Sequence, residues 1–287
     1  MNKIFIIVIL ISNLSFAQNQ RYRYLYQFVP DSTNRSEIKS EMMILYVLPK
    51  FSKFYSETVF KSDSIANVIL EKELLATGSI NIKPDMRKSL FRNTIIKEYP
   101  DFKTLLITKF GQSQLKVEDK RKINWKISPE KEKIGNFLTQ KAETKMYGRK
   151  WFAWFTPEIP IQDGPYKFHG LPGLILKIED ETKSHSFSLS EIKNLSAETI
   201  KEISPDKNFI FDSGQYITMD FGAYKKLFLE NRNDANKSLR LALGQTENIL
   251  INTEGKTNDI ELLRNREKQQ RESNAKDNNI LELDLLK

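Results

Sequence analysis

Apolar and polar residues alternate along most of this chain, and this alternation is typical of a β-strand with one buried face. Near the start, aromatic side chains recur at every second position, at Tyr22, Tyr24, Tyr26 and Phe28. From residue 92 to about residue 195, alternating segments follow one another with turn-like breaks at 99–101, 128–129, 147–149 and 181–183. Because parallel strands need connections of about a dozen residues, such short breaks indicate antiparallel pairing. The pattern predicts a mainly β fold with a strongly curved, half-barrel-like antiparallel sheet.

Two segments interrupt the alternation with helical spacing. Residues 62–78 place Ile65, Val68 and Ile69 on one face, and Gly78 would end that helix. A second helix is predicted to start after Asp220, with Phe221 and Tyr224 on its apolar face. The sheet is therefore expected to carry a few covering helices.

The two ends of the chain differ from its middle. Residues 1–17 join one lysine, an apolar run and the small residues Ser15 and Ala17, which predicts a signal peptide cut near Ala17. Residues 18–263 are then expected to form a single β-rich domain. Residues 264–279 are almost devoid of apolar side chains and predict an exposed or disordered, linker-like segment. Residues 280–287 alternate again and predict a terminal docking strand.

The signal peptide predicts export, with a periplasmic, soluble mature protein. No later stretch approaches the roughly 20 apolar residues of a membrane-spanning helix, so no transmembrane anchor is expected. The chain has no cysteine and therefore no disulfide. Its formal net charge of +8 comes from basic residues interleaved with acidic ones, which favours a mixed-charge surface over nucleic-acid binding. Sequence alone does not indicate an oligomeric state.

Familiar catalytic and cofactor signatures are missing. The two histidines, His169 and His185, are too few for a zinc site without cysteines, and we expect both at the surface. No G-x-S-x-G elbow marks a nucleophilic serine. The segment 170–175 precedes a strand and lacks the spacing of a phosphate loop. We therefore assign no catalytic residue, metal or cofactor.

The segment 151–173 carries the candidate binding residues. Both faces of the strand around Trp151, Trp154 and Phe155 are apolar, so both are expected to be covered, one of them by a ligand or partner. Tyr166, Phe168 and Leu171 in the following loop are the other candidate contacts. The loop is stiffened at Gly164, Pro165, Gly170, Pro172 and Gly173. It is interpreted mainly as a fold-defining turn, with a direct ligand or partner role as the alternative.

The stretch from Lys141 to Asp180, which contains the letters GLPGLI at 170–175, resembles the GLPGLI family of exported proteins from Bacteroidetes. The resemblance implies an envelope location and no established activity. Genes of that family often lie near those of TonB-dependent outer-membrane receptors. The architecture also resembles half-barrel carriers of the lipoprotein-carrier type. Family members often carry a cysteine just before Lys-Ala, near the position of Thr139 in this chain.

Three functions are compatible with these observations. The leading hypothesis is a non-enzymatic periplasmic binding or accessory protein that presents an apolar concave sheet to a lipid-like ligand or an envelope partner. The alternative is an interaction module that assists a TonB-dependent outer-membrane transporter, through the loop around Gln162 and Asp163 or through the charged tail. The third is a hydrolase whose residues cannot be identified.

Overall fold

A computed structural model describes residues 19–59, 61, 89–110, 113–203, 215–234 and 256–287. The predicted signal peptide, residues 1–17, and the predicted helix at 62–78 both lie outside the described residues. Within the described residues, no helix is both long enough and apolar enough to cross a membrane.

Twelve strands of the described chain form one open sheet, in the order β12-β6-β5-β4-β3-β2-β1-β11-β10-β9-β8-β7. Neighbouring strands pair antiparallel, except that β12 runs parallel to β6. The mainly β, antiparallel architecture with a few helices is thereby confirmed. The strands are β1 (Gln20–Phe28), β2 (Lys39–Val47), β3 (Phe51–Ser56), β4 (Thr94–Glu98), β5 (Lys103–Phe110), β6 (Ser113–Asp119), β7 (Lys126–Ile134), β8 (Phe137–Met146), β9 (Arg149–Thr156), β10 (Leu174–Asp180), β11 (His185–Asn194) and β12 (Tyr216–Asp220).

One face of the sheet, here called the inner face, carries the main core. Tyr22 and Tyr24 are fully buried there, as their alternation predicts. Directly opposed residues on paired strands share a face, so the core continues from strand to strand. One such row runs through Ile127, Ala142, Ala153, Ile178, Phe187 and Tyr26. Burial of this face is the main source of the fold's stability.

The opposite, outer face carries a smaller core over β2 and β3. Ile44, Tyr46 and Tyr55 are buried beneath helix α1 (Ala197–Ile203), whose Ile203 is also buried. Apart from this core and from Phe152 and Trp154 of β9, much of the outer face is polar. Arg21, for example, pairs with Glu191 at 2.8 Å.

The hairpin of β7 and β8 corrects one predicted turn. Ser128 and Pro129 were expected to separate two strands, but they lie inside β7, where the register with β8 shifts between Ile127 and Lys131. Proline lacks a backbone N–H, so strands tolerate it at a sheet edge or at a bulge. β7 is an edge strand of the sheet, and the register shift provides the bulge. The true turn comes at Gly135, whose φ is +58°.

The helix predicted after Asp220 forms as α2 (Phe221–Asn233), and the Asp220 carboxylate accepts a hydrogen bond from the Ala223 N–H at its N-terminus. Residues 256–276 form helix α3 (Lys256–Lys276), so most of the predicted linker-like segment is helical. Its side chains from Arg264 onward are mainly exposed, as expected. Arginine, glutamate, lysine and glutamine are strong helix formers, which explains the helix from Arg264 onward, where apolar residues are almost absent.

The last residues dock against the domain, but not as a strand. Leu283–Leu286 form a 3₁₀ turn, closed by a hydrogen bond from the Leu285 N–H to the Glu282 carbonyl. The carbonyls of Asn279, Ile280 and Leu281 accept from the Arg149 side chain. The Arg149 guanidinium thus binds carbonyls that a neighbouring strand would otherwise have paired. The alternating residues Leu281, Leu283 and Leu285 therefore do not form a strand of the sheet.

Candidate functional site

The stretch that resembles a known family contains one long loop, residues 157–173, between β9 and β10. The loop folds onto the inner face, where Phe168 is fully buried and its ring meets that of Trp151 edge-on at 4.9 Å. A bridge between Asp163 and His169 closes its middle, and the Gly170 N–H donates to the Gln162 carbonyl at 2.9 Å. The loop therefore fills part of the inner face with the chain's own side chains.

Gly173 makes the close return of the loop to the sheet possible. Its φ is +152°, and a Cβ atom there would lie 2.0 Å from the carbonyl oxygen of Thr156. No side chain fits this approach without moving the backbone of β9. The interpretation of the motif as a fold-defining turn is consistent with this geometry.

Lys97 of β4 fastens the first half of the loop. Its Nζ donates to the carbonyl oxygens of Gly164 at 2.7 Å and Tyr166 at 3.0 Å, and it forms a fully buried ion pair with Asp163. Asp163 also accepts from the Gly164 N–H at 2.6 Å and from the Tyr99 hydroxyl. Burial lowers the pKa of Lys97 and the charge of Asp163 opposes that shift. An isolated buried ammonium would be very costly, so this pairing is what allows Lys97 to sit in the core.

Lys167 fastens the loop to the C-terminal residues. Its Nζ contacts Asp119 of β6 at 2.8 Å and Glu282 at 2.5 Å. Arg121 contacts the same two carboxylates, at 2.6 Å and 2.5 Å. Burial alone would raise the pKa of Asp119 and of Glu282, but the two cations hold both pKa values below the ordinary range. The Tyr166 hydroxyl also donates to Glu282.

A third buried polar group lies where β9 begins. Arg149 pairs with Asp180 at 3.1 Å, and His185 Nε2 is 2.8 Å from the Asn279 carbonyl oxygen. His185 is 1 % exposed, so its predicted surface position is wrong; its strand position faces inward with Tyr26, which it contacts through Nδ1 at 2.7 Å. Burial, and next the charge of Arg149, lower the pKa of His185 to about 3.

His169 is partly buried, and its ring stacks on Phe102 at 4.7 Å. Burial, and next the charge of Lys97, lower its pKa to about 4. Both histidines are therefore neutral at ordinary pH. Within the described residues, no group of three or more histidines and carboxylates is arranged to hold a metal ion.

The predicted contact residues divide between the two faces. Trp151, Phe155, Tyr166, Phe168 and Leu171 pack into the main core. Trp154 lies on the outer face, 7 % exposed, with the ammonium groups of Lys177 and Lys141 at 4.7 Å and 5.6 Å from its ring. Its indole N–H has no hydrogen-bond partner among the described residues. The six do not line one open cavity, and their contact with a ligand stays a prediction.

The buried ion pairs were missed at the sequence level. Lys97 carried a usable signal, because it alternates with the core residue Ile95 and therefore occupies an inward position of β4. Glu282 carried none, since its partner Lys167 lies 115 positions away. Near the position where family members often have a cysteine, the Thr139 hydroxyl donates to the Glu132 carbonyl at 2.6 Å.

A family model described as "Protein of unknown function (Porph_ging)" matches residues 147–177, which include β9, the loop and the first part of β10. No curated protein matches the chain. Among solved structures, "Structure of PNGF-II in C2 space group" is similar over 74 % of this chain and 33 % of that chain, at 16 % identity and a TM-score of 0.49. This chain thus spans about a third of PNGF-II. An uncharacterized conserved protein from Thermus thermophilus is similar over 73 % of this chain and 96 % of that chain, at 11 % identity and a TM-score of 0.33.

Proposed function

We propose that this chain is a non-enzymatic binding or accessory protein of the cell envelope, and that it contacts a protein partner at one end of its inner face. The apolar side chains concerned are Ile127, Leu138, Ile159 and Ile161, here called the inner-face rim. Ile127 and Leu138, which are 45 % and 52 % exposed, are two of the five large apolar residues that are exposed in the described part of the chain. This exposure is the observation that carries the proposal.

Two residues of the rim lie on the inner face itself, while Ile159 and Ile161 of the loop are partly buried against the main core. Ile127 is opposed to Ala142, and Leu138 stands four residues before Ala142 on the same strand, so all three share that face. At about 3.3 Å per residue, Leu138 and Ala142 lie roughly 13 Å apart. The Leu138 N–H donates to the Glu158 carboxylate at 2.9 Å, which ties the hairpin to the start of the loop. Exposed apolar residues grouped at one rim favour a contact surface over isolated surface residues.

A protein partner is favoured over an enclosed lipid because the loop occupies the inner face. Phe168, Leu171 and Tyr166 fill space that an acyl chain would need, and each is at most 3 % exposed. The loop around Asp163 is a poor contact for a transporter, since Asp163 is fully buried against Lys97. A partner can contact the rim without any rearrangement of the loop.

The envelope location rests on the sequence. The signal-peptide pattern of residues 1–17 and the GLPGLI resemblance both favour export to the periplasm. The match of residues 147–177 to a family of unknown function covers the same motif and adds no activity. A component of a TonB-dependent outer-membrane transporter is the partner class that the resemblance favours.

Site-specific photo-crosslinking in the producing cells tests the proposal. A photoreactive side chain replaces Leu138 in one variant and Ile217, an equally exposed residue of β12 at the other end of the sheet, in the control. We expect a discrete protein adduct from position 138 and none from position 217. Adducts from both positions, from neither, or only with lipid would contradict a protein contact at the rim.

A further inference from the structure

The C-terminal residues 278–287, here called the strap, form an outer layer over the loop. Within the strap only Asn279, Glu282 and Leu285 are buried. By contrast, every residue from Asp163 to Phe168 in the loop beneath is buried. The strap is therefore less completely covered than the loop, and weakly covered segments are the ones that open locally before a domain unfolds.

A groove of fixed donors binds the strap backbone. Arg149 donates to the carbonyl of Ile280 at 2.6 Å, to that of Leu281 at 3.1 Å and to the Asn279 side-chain oxygen at 2.7 Å. The Arg149 guanidinium is itself held by Asp180, so its donors are oriented independently of the strap. Main-chain contacts of this kind also give affinity when a protein binds an extended peptide.

The same groove selects carboxylates at two positions. Glu282 is bound by Lys167 and Arg121, each at 2.5 Å, and Asp284 is bound by Arg121 at 2.7 Å. Charge-assisted contacts of this kind are strong and geometrically specific. One residue further on, the Leu285 side chain packs into the main core. The groove therefore fits a peptide with two acidic residues, spaced by one position and followed by an apolar residue.

At the end of the preceding helix, the Asn274 carbonyl accepts from Arg232 at 3.0 Å, and the Asn274 amide donates to the Arg232 carbonyl at 2.7 Å. Just beyond the helix, Asp277 pairs with Arg232 at 3.3 Å. The strap is also held at its start, where the Asn279 N–H donates to the Pro30 carbonyl at 3.0 Å and the Asn279 side-chain amide donates to the Val29 carbonyl at 2.8 Å. The contacts with Arg149, Lys167 and Arg121 hold the residues that follow.

We propose that this groove is a peptide-binding site, that the chain's own strap is a displaceable internal ligand, and that the matching strap of a second copy can take its place. The ligand class is a short apolar–acidic peptide. This inference is independent of the rim proposed above, because the groove and the rim share no residue.

A labelled peptide spanning residues 277–287 is the probe, and it is titrated against the full-length chain. A tethered strap competes at an effective concentration near millimolar, so the wild-type chain should bind the free peptide weakly. The Glu282→Gln chain loses the buried carboxylate from its own strap, and we expect it to bind the wild-type peptide at least tenfold more tightly than the wild-type chain does. Glu272→Gln makes the same change on exposed helix α3 and should behave as wild type.

A second peptide that carries the Glu282→Gln change should bind the Glu282→Gln chain at least tenfold more weakly than the wild-type peptide. Failure of the wild-type peptide to bind the Glu282→Gln chain overturns the proposal. Equal binding of that peptide to the wild-type, Glu282→Gln and Glu272→Gln chains also overturns it. If circular dichroism shows that Glu282→Gln does not fold, Asp284→Asn, whose side chain is 30 % exposed, replaces it under the same criteria.

Discussion

Replacing Lys97 with methionine tests whether the buried ion pair holds the loop in place. The change keeps much of the side-chain volume but removes the ammonium that binds Asp163 and the carbonyls of Gly164 and Tyr166. Lys97 and Asp163 are both fully buried, so a carboxylate is left in the core without its counter-ion. Breaking such a pair from one side costs about 3–5 kcal/mol in the free energy of unfolding. The free energy of unfolding of a domain is typically about 5–15 kcal/mol, so we expect a folded but clearly weakened protein.

Urea unfolding measures this cost. Trp125 is a convenient fluorescent probe, because its indole N–H donates to the His169 carbonyl of the loop at 2.8 Å. Lys177→Met is the matched control: its ion pair with Glu179 is on the surface, with the lysine side chain 34 % exposed, and should cost under about 1 kcal/mol. Adding Asp163→Asn to Lys97→Met removes the unpaired charge and should recover part of the loss. A cost below about 1 kcal/mol for Lys97→Met, with loop amides exchanging as in wild type, would refute the reasoning.

Three further results are expected. Gly173→Ala should lower the free energy of unfolding in urea by about 3 kcal/mol or more, because the new Cβ would meet a backbone oxygen of β9 at 2.0 Å. In the control Gly170→Ala the new Cβ meets nothing within 4 Å, so this change should cost only about 1–2 kcal/mol for its positive φ. Equal costs would contradict the close approach at Gly173. The pKa values of Asp119 and Glu282 are lowered in the folded state, so their stabilising contribution is complete above the unfolded values near pH 4 and is lost as the pH falls through the folded values. Unfolding curves from pH 7 to pH 2 should show this decline, and a flat profile below pH 4 would contradict it. Trp154→Phe removes an unpaired indole N–H and should change the free energy of unfolding by no more than about 1 kcal/mol. Trp154→Ala should lower the free energy of unfolding by about 3–5 kcal/mol. Equal losses of unfolding free energy in the two variants would contradict an unpaired N–H.

The features that depend on local sequence were predictable. The alternation of Tyr22, Tyr24 and Tyr26 predicts a strand with one buried face, and all three are buried as that pattern requires. The helix after Asp220 follows from a capping residue and an apolar spacing within a few positions. Such features need only the preferences of neighbouring residues.

The features that depend on distant contacts were not predictable. Pro129 predicts a turn from local sequence, because the position of its strand at the edge of the sheet is not visible in the sequence. The terminal leucines alternate as in a strand, yet Arg149, more than 130 positions earlier, binds the carbonyls before them. The burial of His185 likewise requires knowledge that Arg149 and Asn279 surround it. These outcomes depend on long-range packing that period and propensity do not encode.

We propose that the chain's own loop fills the inner face, so that the protein binds a partner at the rim and does not enclose a small ligand. Native mass spectrometry of the protein, gently purified from the cells that produce it, tests this proposal most directly. We expect the mass of the chain itself and a second species with an added protein mass, which the Leu138→Ser variant loses and the Ile217→Ser variant keeps. A stoichiometric added mass of a lipid or other small molecule would contradict the account.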